Sequence, residues 1–479
     1  MKALLAALTV ALCAAVSLAL PGGSVAVLFC AACAVPAAVL LGRGAEGEQR
    51  SYLLKIFVGG LLVRAAVGSL INAFHLQDFF GGDALTYDLF GNALVGSWRS
   101  GVPVNDVKDW ATGGGGWGML YLVAGVYSVT GQNMLAVQLF NSVVGAATAP
   151  VIYLCARHIF QNVRVAKVAA FAVAFYPSLV LWSSQGLKDG PIVFLLALAM
   201  LATLKLGERV SALNVAMLML SMFAIFSLRF YVFYMLAAAV TGAFVVGMRT
   251  VTSQSLARQL VIVLTIGLGL TYMGVLRTAG AQVERFGTLQ AVQTSRADLA
   301  QQAKSGFGQD VDVSTATGAI SAVPLGMTYL LFAPFPWQLA SLRQSITLPE
   351  MIVWWASFPL LVLGVWFTLS YRLRQALPIL IFTSMLTLAY SIFQGNVGTA
   401  YRQRSQILVF YFIFVAVGAV LFKERREERA LQLAREKAAR IAQGRANEVA
   451  SAERYARWKQ ERGKEIEDMA QDISERINF

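Results

Sequence analysis

The sequence predicts an all-α polytopic integral membrane protein, and three observations carry that prediction. Of 479 residues, 57% are hydrophobic and only 14% are charged, well outside the balance of a water-soluble domain. Apolar runs of about 17 to 25 residues, the length that crosses a hydrocarbon core, recur about twelve times. Much of the charge lies beyond them: residues 423–479 hold 14 of the 39 Lys and Arg and 12 of the 26 Asp and Glu.

The runs fall near residues 4–20, 24–42, 53–75, 133–156, 165–183, 190–207, 210–227, 230–248, 258–276, 349–371, 376–394 and 406–422. The first follows a single Lys2 and leads almost directly into the second, so it reads as a retained span and not a cleaved signal. Basic residues cluster in short connections: Arg43, Arg50 and Lys55; Arg157, Arg164 and Lys167; Lys205 and Arg209; Arg249 and Arg258; Arg372 and Arg374. Assigned to the cytoplasm, these connections alternate correctly with twelve spans, and both termini are cytoplasmic. The net charge of +13 is therefore a matter of topology, not of nucleic-acid binding. Two long loops, 76–132 and 277–348, then lie outside. Each carries an aromatic apolar stretch, "GWGMLYLVAGVYSVTG" and "VPLGMTYLLFAPFPW", that reads as an interfacial helix.

Cys13, Cys30, Cys33 and Cys155 all sit in apolar runs and read as small buried residues. With only His75 and His158, a histidine-rich metal site is excluded, and His75 reads as an interfacial residue.

The same topology sorts the acids of the first 422 residues. Glu46, Glu48 and Glu208 face the cytoplasm, and Asp78, Asp83, Asp88, Asp106, Asp109, Asp189, Glu284, Asp298, Asp310, Asp312 and Glu350 face out. Acid–base chemistry is expected outside. Within "GGDALTYDLFGNAL", Asp83 follows two glycines and precedes a helix-compatible run. It reads either as an N-cap or as a carboxylate placed above the membrane to take a proton from a hydroxyl. Asp88 lies about 140° further round such a helix, whereas Tyr87, at i+4, shares the Asp83 face. A metal site made by the two aspartates alone is not expected.

These residues resemble the acidic first outer loop of the GT-C superfamily of membrane glycosyltransferases. That superfamily includes protein O-mannosyltransferases, the lipid A aminoarabinose transferase and the rhizobial lipopolysaccharide sugar transferases. "FYPSLVLWSSQGLKDGPIVFLLALAMLATLKL" is similar to the family's proline-containing helix, polar outer turn and returning helix. "GNVGTAYRQRSQILVFYF" resembles its arginine-bearing motif before the last span. The chain departs from the pattern in carrying two earlier spans, in placing Ala84 after Asp83, and in having Lys188-Asp189 where relatives often carry a glutamate. The resemblance implies residues 1–52 as two extra spans, 53–422 as a GT-C-like catalytic body, and 423–479 as a charged cytoplasmic helical tail. It also implies a polyprenyl-phosphate sugar donor, a saccharide or lipid-linked acceptor, an inner-membrane location and inverting transfer with Asp83 as base. No cofactor is assigned, and a divalent metal stays open.

A lipid phosphate head needs fixed cations just above the membrane, beside an apolar groove. Arg402 and Arg404 suit this through their fork of donors, with Lys188 and Arg229 as further candidates and Asp189 as a partner for Lys188 or for substrate. Each also has a plainer reading, as a headgroup anchor or a solvated loop charge. Arg64, mid-span, must face the protein interior or a wet cavity, as a functional group or as half of an ion pair. The tail, from "KERREERALQLAREKAARIAQ", reads as a solvated helix that touches anionic lipid or binds a cytoplasmic partner. Two other readings remain: a polysaccharide polymerase or ligase using lipid-linked oligosaccharides, and a lipid-linked saccharide transporter. The nearly bare spans weigh against transport.

Overall fold

The computed structural model describes residues 2–102, 116–246, 253–275, 287–301, 305–339 and 341–477, with residues 277, 280, 282 and 284. Asp106 and Asp109 lie outside the described residues. Regular structure among the described residues is helical, with one isolated antiparallel bridge between Gly306 and Asn396. Two compact units are present, Met1–Gly418 and Ala419–Phe479.

A helix stands at each predicted apolar run, but among the described residues seven are long and apolar enough to cross a membrane, or eight if one bent pair counts as a span. Ala212–Leu228 and Phe230–Val246 show why the number falls: each has 17 residues. At ~1.5 Å per residue that is about 26 Å of helix, short of a hydrocarbon core of ~30 Å. Helices also form over both aromatic stretches of the long loops, at Gly118–Thr130 and Ala316–Phe332.

Met134–Phe160 is the central helix of the first unit. It packs against Gly23–Gly42, Gly47–Ala73, Val163–Phe175 and Asp189–Glu208. Small residues permit the approach: a Cβ on Gly145 would strike Ser183, and Ala146 and Ala147 pack on Phe57. The same device recurs where Leu342–Tyr371 meets the start of Ser405–Ile477. A Cβ on Gly364 would collide with the Phe414 carbonyl, and one on Gly418 with the Leu360 carbonyl.

The bent pair, Val163–Phe175 and Pro177–Ser183, turns by 54°. Pro177 has no N–H to offer the Val173 carbonyl, and its ring drives Tyr176 into an extended conformation (φ −65°, ψ 124°). Arg64 supplies the missing donors. Its Nη2 donates to Val173 O (3.2 Å), its Nη1 to Ala174 O (2.6 Å) and Gly60 O (3.1 Å), and its Nε to Ser183 Oγ (2.8 Å). This corrects the expectation of an ion pair: among the described residues Arg64 closes a helix break with no carboxylate partner. Backbone carbonyls freed inside a membrane protein need such a donor, because no water is at hand.

Candidate active site

The break at Tyr176–Pro177 and the polar turn after Ser183 place Trp182, Lys188 and Asp189 beside the short connection around Arg229. A cavity of about 890 Å³ opens there. Its charged lining is Asp83, Lys188, Arg229, Arg343 and Arg402. Phe80, Leu181, Trp182, Phe230 and Ile346 give it apolar walls.

Asp83 arrives through a two-glycine turn. Gly81 has φ +150°, a conformation that side chains rarely adopt, and the Arg402 guanidinium lies 3.9 Å from where its Cβ would be. Asp83 is the first residue of the helix Asp83–Ser100; Gly82 occupies the cap position and no side chain caps the helix. The N-cap reading is therefore corrected. The carboxylate instead accepts from Arg402 Nη1 (2.7 Å) and stays half-exposed on the cavity.

Arg402 spans two acids. Its Nε donates to Asp189 Oδ2 (2.6 Å), and Asp189 Oδ1 lies 3.4 Å from Arg229 Nη2. Asp189 is fully buried, so it does not touch the cavity. It pairs with these two arginines, not with Lys188 as anticipated. Burial opposes the charge on both guanidiniums. Tyr231 and Asp189 around Arg229, and Asp189 and Asp83 around Arg402, outweigh it and hold both pKa values above ordinary arginine. Each retains a buried nitrogen without a partner among the described residues, Nη1 of Arg229 and Nη2 of Arg402. Lys188 lines the same space. Burial, reinforced by Arg229, lowers its pKa to about 8 against the pull of Asp189. Tyr87, one turn beyond Asp83, is buried, and burial followed by the Asp83 charge pushes its phenol up, so it remains a proton donor.

Four predicted site residues do not line the cavity: Asp189 and Tyr87 lie buried behind it, and Arg404 and Asp88 are engaged elsewhere. Arg404 is fully buried, with Nη1 donating to the carbonyls of Leu331 (3.0 Å) and Ala333 (3.1 Å) and Nη2 against Met351 Sδ (2.9 Å). Two residues apart on a helical backbone is about 200°, so Arg404 turns away where Arg402 turns in. Asp88 accepts from Gln132 Nε2 (3.0 Å) and from the Tyr127 hydroxyl and does not line the cavity. Sequence reasoning missed Arg343, Tyr401 and Gln403 in the lining. The last two stand inside the same quoted motif as Arg402, but as neutral polar residues they carry no charge signal. Among the described residues no three of His, Cys, Asp and Glu converge to hold a metal ion. Both oxygens of Asp189 are already occupied by Arg402 and Arg229.

Residues 117–272 match the model of the dolichyl-phosphate-mannose-protein mannosyltransferase family. The resemblance to GT-C enzymes is shown. The match supports a membrane glycosyltransferase of the GT-C type. No curated protein matches the chain closely enough to count as a relative. The matched GT-C-like segment carries Trp182, Lys188, Asp189 and Arg229. Asp83 and Arg402 come from outside it, joined to it through the Arg402–Asp189 pair.

Proposed function

We propose that the protein transfers a sugar from a polyprenyl-phosphate donor to a saccharide or lipid-linked acceptor of the envelope or of an exported polysaccharide. Transfer takes place at the extracytoplasmic face of the inner membrane, with both termini cytoplasmic. The observation that carries this reading is the pairing, in one cavity, of a half-exposed carboxylate, Asp83, with the cations Lys188, Arg229 and Arg402. Guanidinium forks suit phosphate oxygens, and apolar walls beside them suit a lipid-linked head. In the proposed reaction Asp83 takes the proton of the acceptor hydroxyl as its oxygen attacks the anomeric carbon. The bond from that carbon to the phosphate oxygen breaks, and its electron pair leaves with polyprenyl phosphate. Arg402, Arg229 and Lys188 balance the growing phosphate charge, a contribution that strengthens toward the transition state. Asp189 stays buried and fixes the two guanidiniums, so it replaces substrate contact with orientation.

The test is transfer of radiolabelled sugar from a panel of polyprenyl-phosphate donors by the full chain in lipid nanodiscs, with release of polyprenyl phosphate followed in parallel. Wild type transfers and releases in equal amounts, and Asp83→Asn does neither. Equal labelling by both proteins would remove Asp83 from the chemistry, and no transfer from a broad donor panel would sink the donor assignment.

A further inference from the structure

The cavity has a second wall of different chemistry. Asn396 is the cap of the short helix Val397–Gln403, and its Oδ1 accepts from both the Gly398 N–H (2.8 Å) and the Ser305 hydroxyl (2.8 Å). Those two donors fix which end of the amide is oxygen, leaving Nδ2 with no partner among the described residues. Gln403 is also engaged: its Oε1 accepts from Gln394 Nε2 (2.6 Å), which leaves its own Nε2 over. Thr399, three residues after Asn396 and four before Gln403, falls on the same side of the helix, and its hydroxyl too has no partner among the described residues. All three line the cavity. The wall is held in place from outside, because Ser305 O accepts from the Val397 N–H (3.0 Å) and Arg296 Nη1 donates to the carbonyls of Ile392 (2.9 Å) and Gln394 (2.7 Å).

We propose that Asn396, Thr399 and Gln403 form a saccharide subsite that reads a neutral, hydroxyl-rich sugar unit beside the phosphate-binding cations. This rests on the function proposed above and deepens it by naming what the neutral wall recognises. Pre-oriented amide N–H groups and a hydroxyl complement sugar hydroxyls, which both donate and accept. Amides whose oxygens are already engaged have lost most of their freedom, so little ordering cost remains when a ligand binds. Tyr231, on the cavity wall, adds an aromatic ring of the kind that packs on sugar C–H groups. The same stripe serves the sugar of the donor or the terminal sugar of the acceptor, since both present the same hydroxyl chemistry.

Asn396→Asp and Gln403→Glu keep the accepting oxygen that holds the local structure and remove the N–H donors; the charge they add weakens binding of bare and glycosylated lipid phosphate alike, so the ratio of the two affinities isolates the lost donors. Thr399→Val removes the hydroxyl at near-constant shape. Affinities of the full chain in nanodiscs are measured for bare polyprenyl phosphate, for polyprenyl-phosphate hexoses and for neutral oligosaccharides. If the subsite holds the donor sugar, the affinity ratio of glycosylated to bare lipid phosphate falls about tenfold in each variant, the loss of one net hydrogen bond. If it holds the acceptor, that ratio is kept and oligosaccharide affinity falls by a similar factor. The proposal is overturned if neither quantity moves, or if wild type gains nothing from the sugar and binds no oligosaccharide. Failure of wild type to bind even bare polyprenyl phosphate would instead count against the function itself.

Discussion

Two sets of buried arginines divide the molecule. Arg64, Arg296 and Arg404 donate to backbone carbonyls at points where helices break or end. Arg229 and Arg402 pair with carboxylates and border the large cavity. A lone nitrogen count does not separate them, since Arg404 also keeps a buried Nε without a partner. What separates them is what each side chain borders. Arg404 sits against Met351 and the Tyr401 ring, outside the cavity, whereas the spare N–H groups of Arg229 and Arg402 belong to side chains that line it. A buried cation in a membrane protein is thus as often a substitute for a missing backbone donor as a binding group, and only its partners tell which.

The comparison can be broken most sharply at Asp83 and Arg402. Asp83→Asn is expected to lower kcat by about 10²- to 10⁴-fold, the usual worth of a general base, with folded yield unchanged because the side chain is half-exposed. Arg402→Lys keeps the charge but not the fork that bridges Asp83 and Asp189. Transfer should fall by roughly a hundredfold, or about 3 kcal/mol of transition-state stabilisation, measured as kcat/KM for the lipid donor. Arg404→Met should behave in the opposite way. It leaves the Ala333 carbonyl without a donor, at a cost of about 1 to 3 kcal/mol, while Leu331 O keeps the Trp354 Nε1 donor (2.7 Å). Thermal unfolding in detergent should come several degrees earlier, while the surviving protein keeps its KM. A large KM change with unaltered stability would move Arg404 into the functional set.

The smallest effect concerns pH. Lys188 binds phosphate only as a cation, and its pKa is lowered to about 8, chiefly by burial. Affinity for polyprenyl phosphate should be level from about pH 7 to 7.5, where the phosphate monoester has already lost its second proton, and weaken above about 8 as Lys188 loses its own. The variant Lys188→Arg should show no such decline, since guanidinium stays charged. A decline of equal size in both proteins would assign the titration to another group.

The helical class and the places of the apolar runs were legible in the sequence, because length and hydropathy are local properties. So were Asp83, Lys188, Arg229 and Arg402, from four separate stretches singled out by charge in an apolar background, which line one cavity. Arg404 was misjudged because charge was counted without helical angle, although its two-residue offset from Arg402 was open to view. For Asp83 the sequence left cap and base both open, because Gly-Gly before a helix suits either; its partner Arg402 lies 319 residues away and cannot be inferred from spacing. The Arg64 contact, 109 and 110 residues distant, is of the same kind. The neutral wall of Asn396, Thr399 and Gln403 has no sequence signal, since such residues occur in any polar turn.

The central claim is a single displacement in which Asp83 activates the acceptor and the Arg402 cluster receives the leaving phosphate. The most direct test is the anomeric configuration of the product formed from a polyprenyl-phosphate sugar of known anomer, read by NMR on material made by the full chain in nanodiscs. The account predicts complete inversion, with unmodified polyprenyl phosphate as the second product. Retention of configuration would require a covalent glycosyl intermediate or another nucleophile in the cavity, and would contradict it.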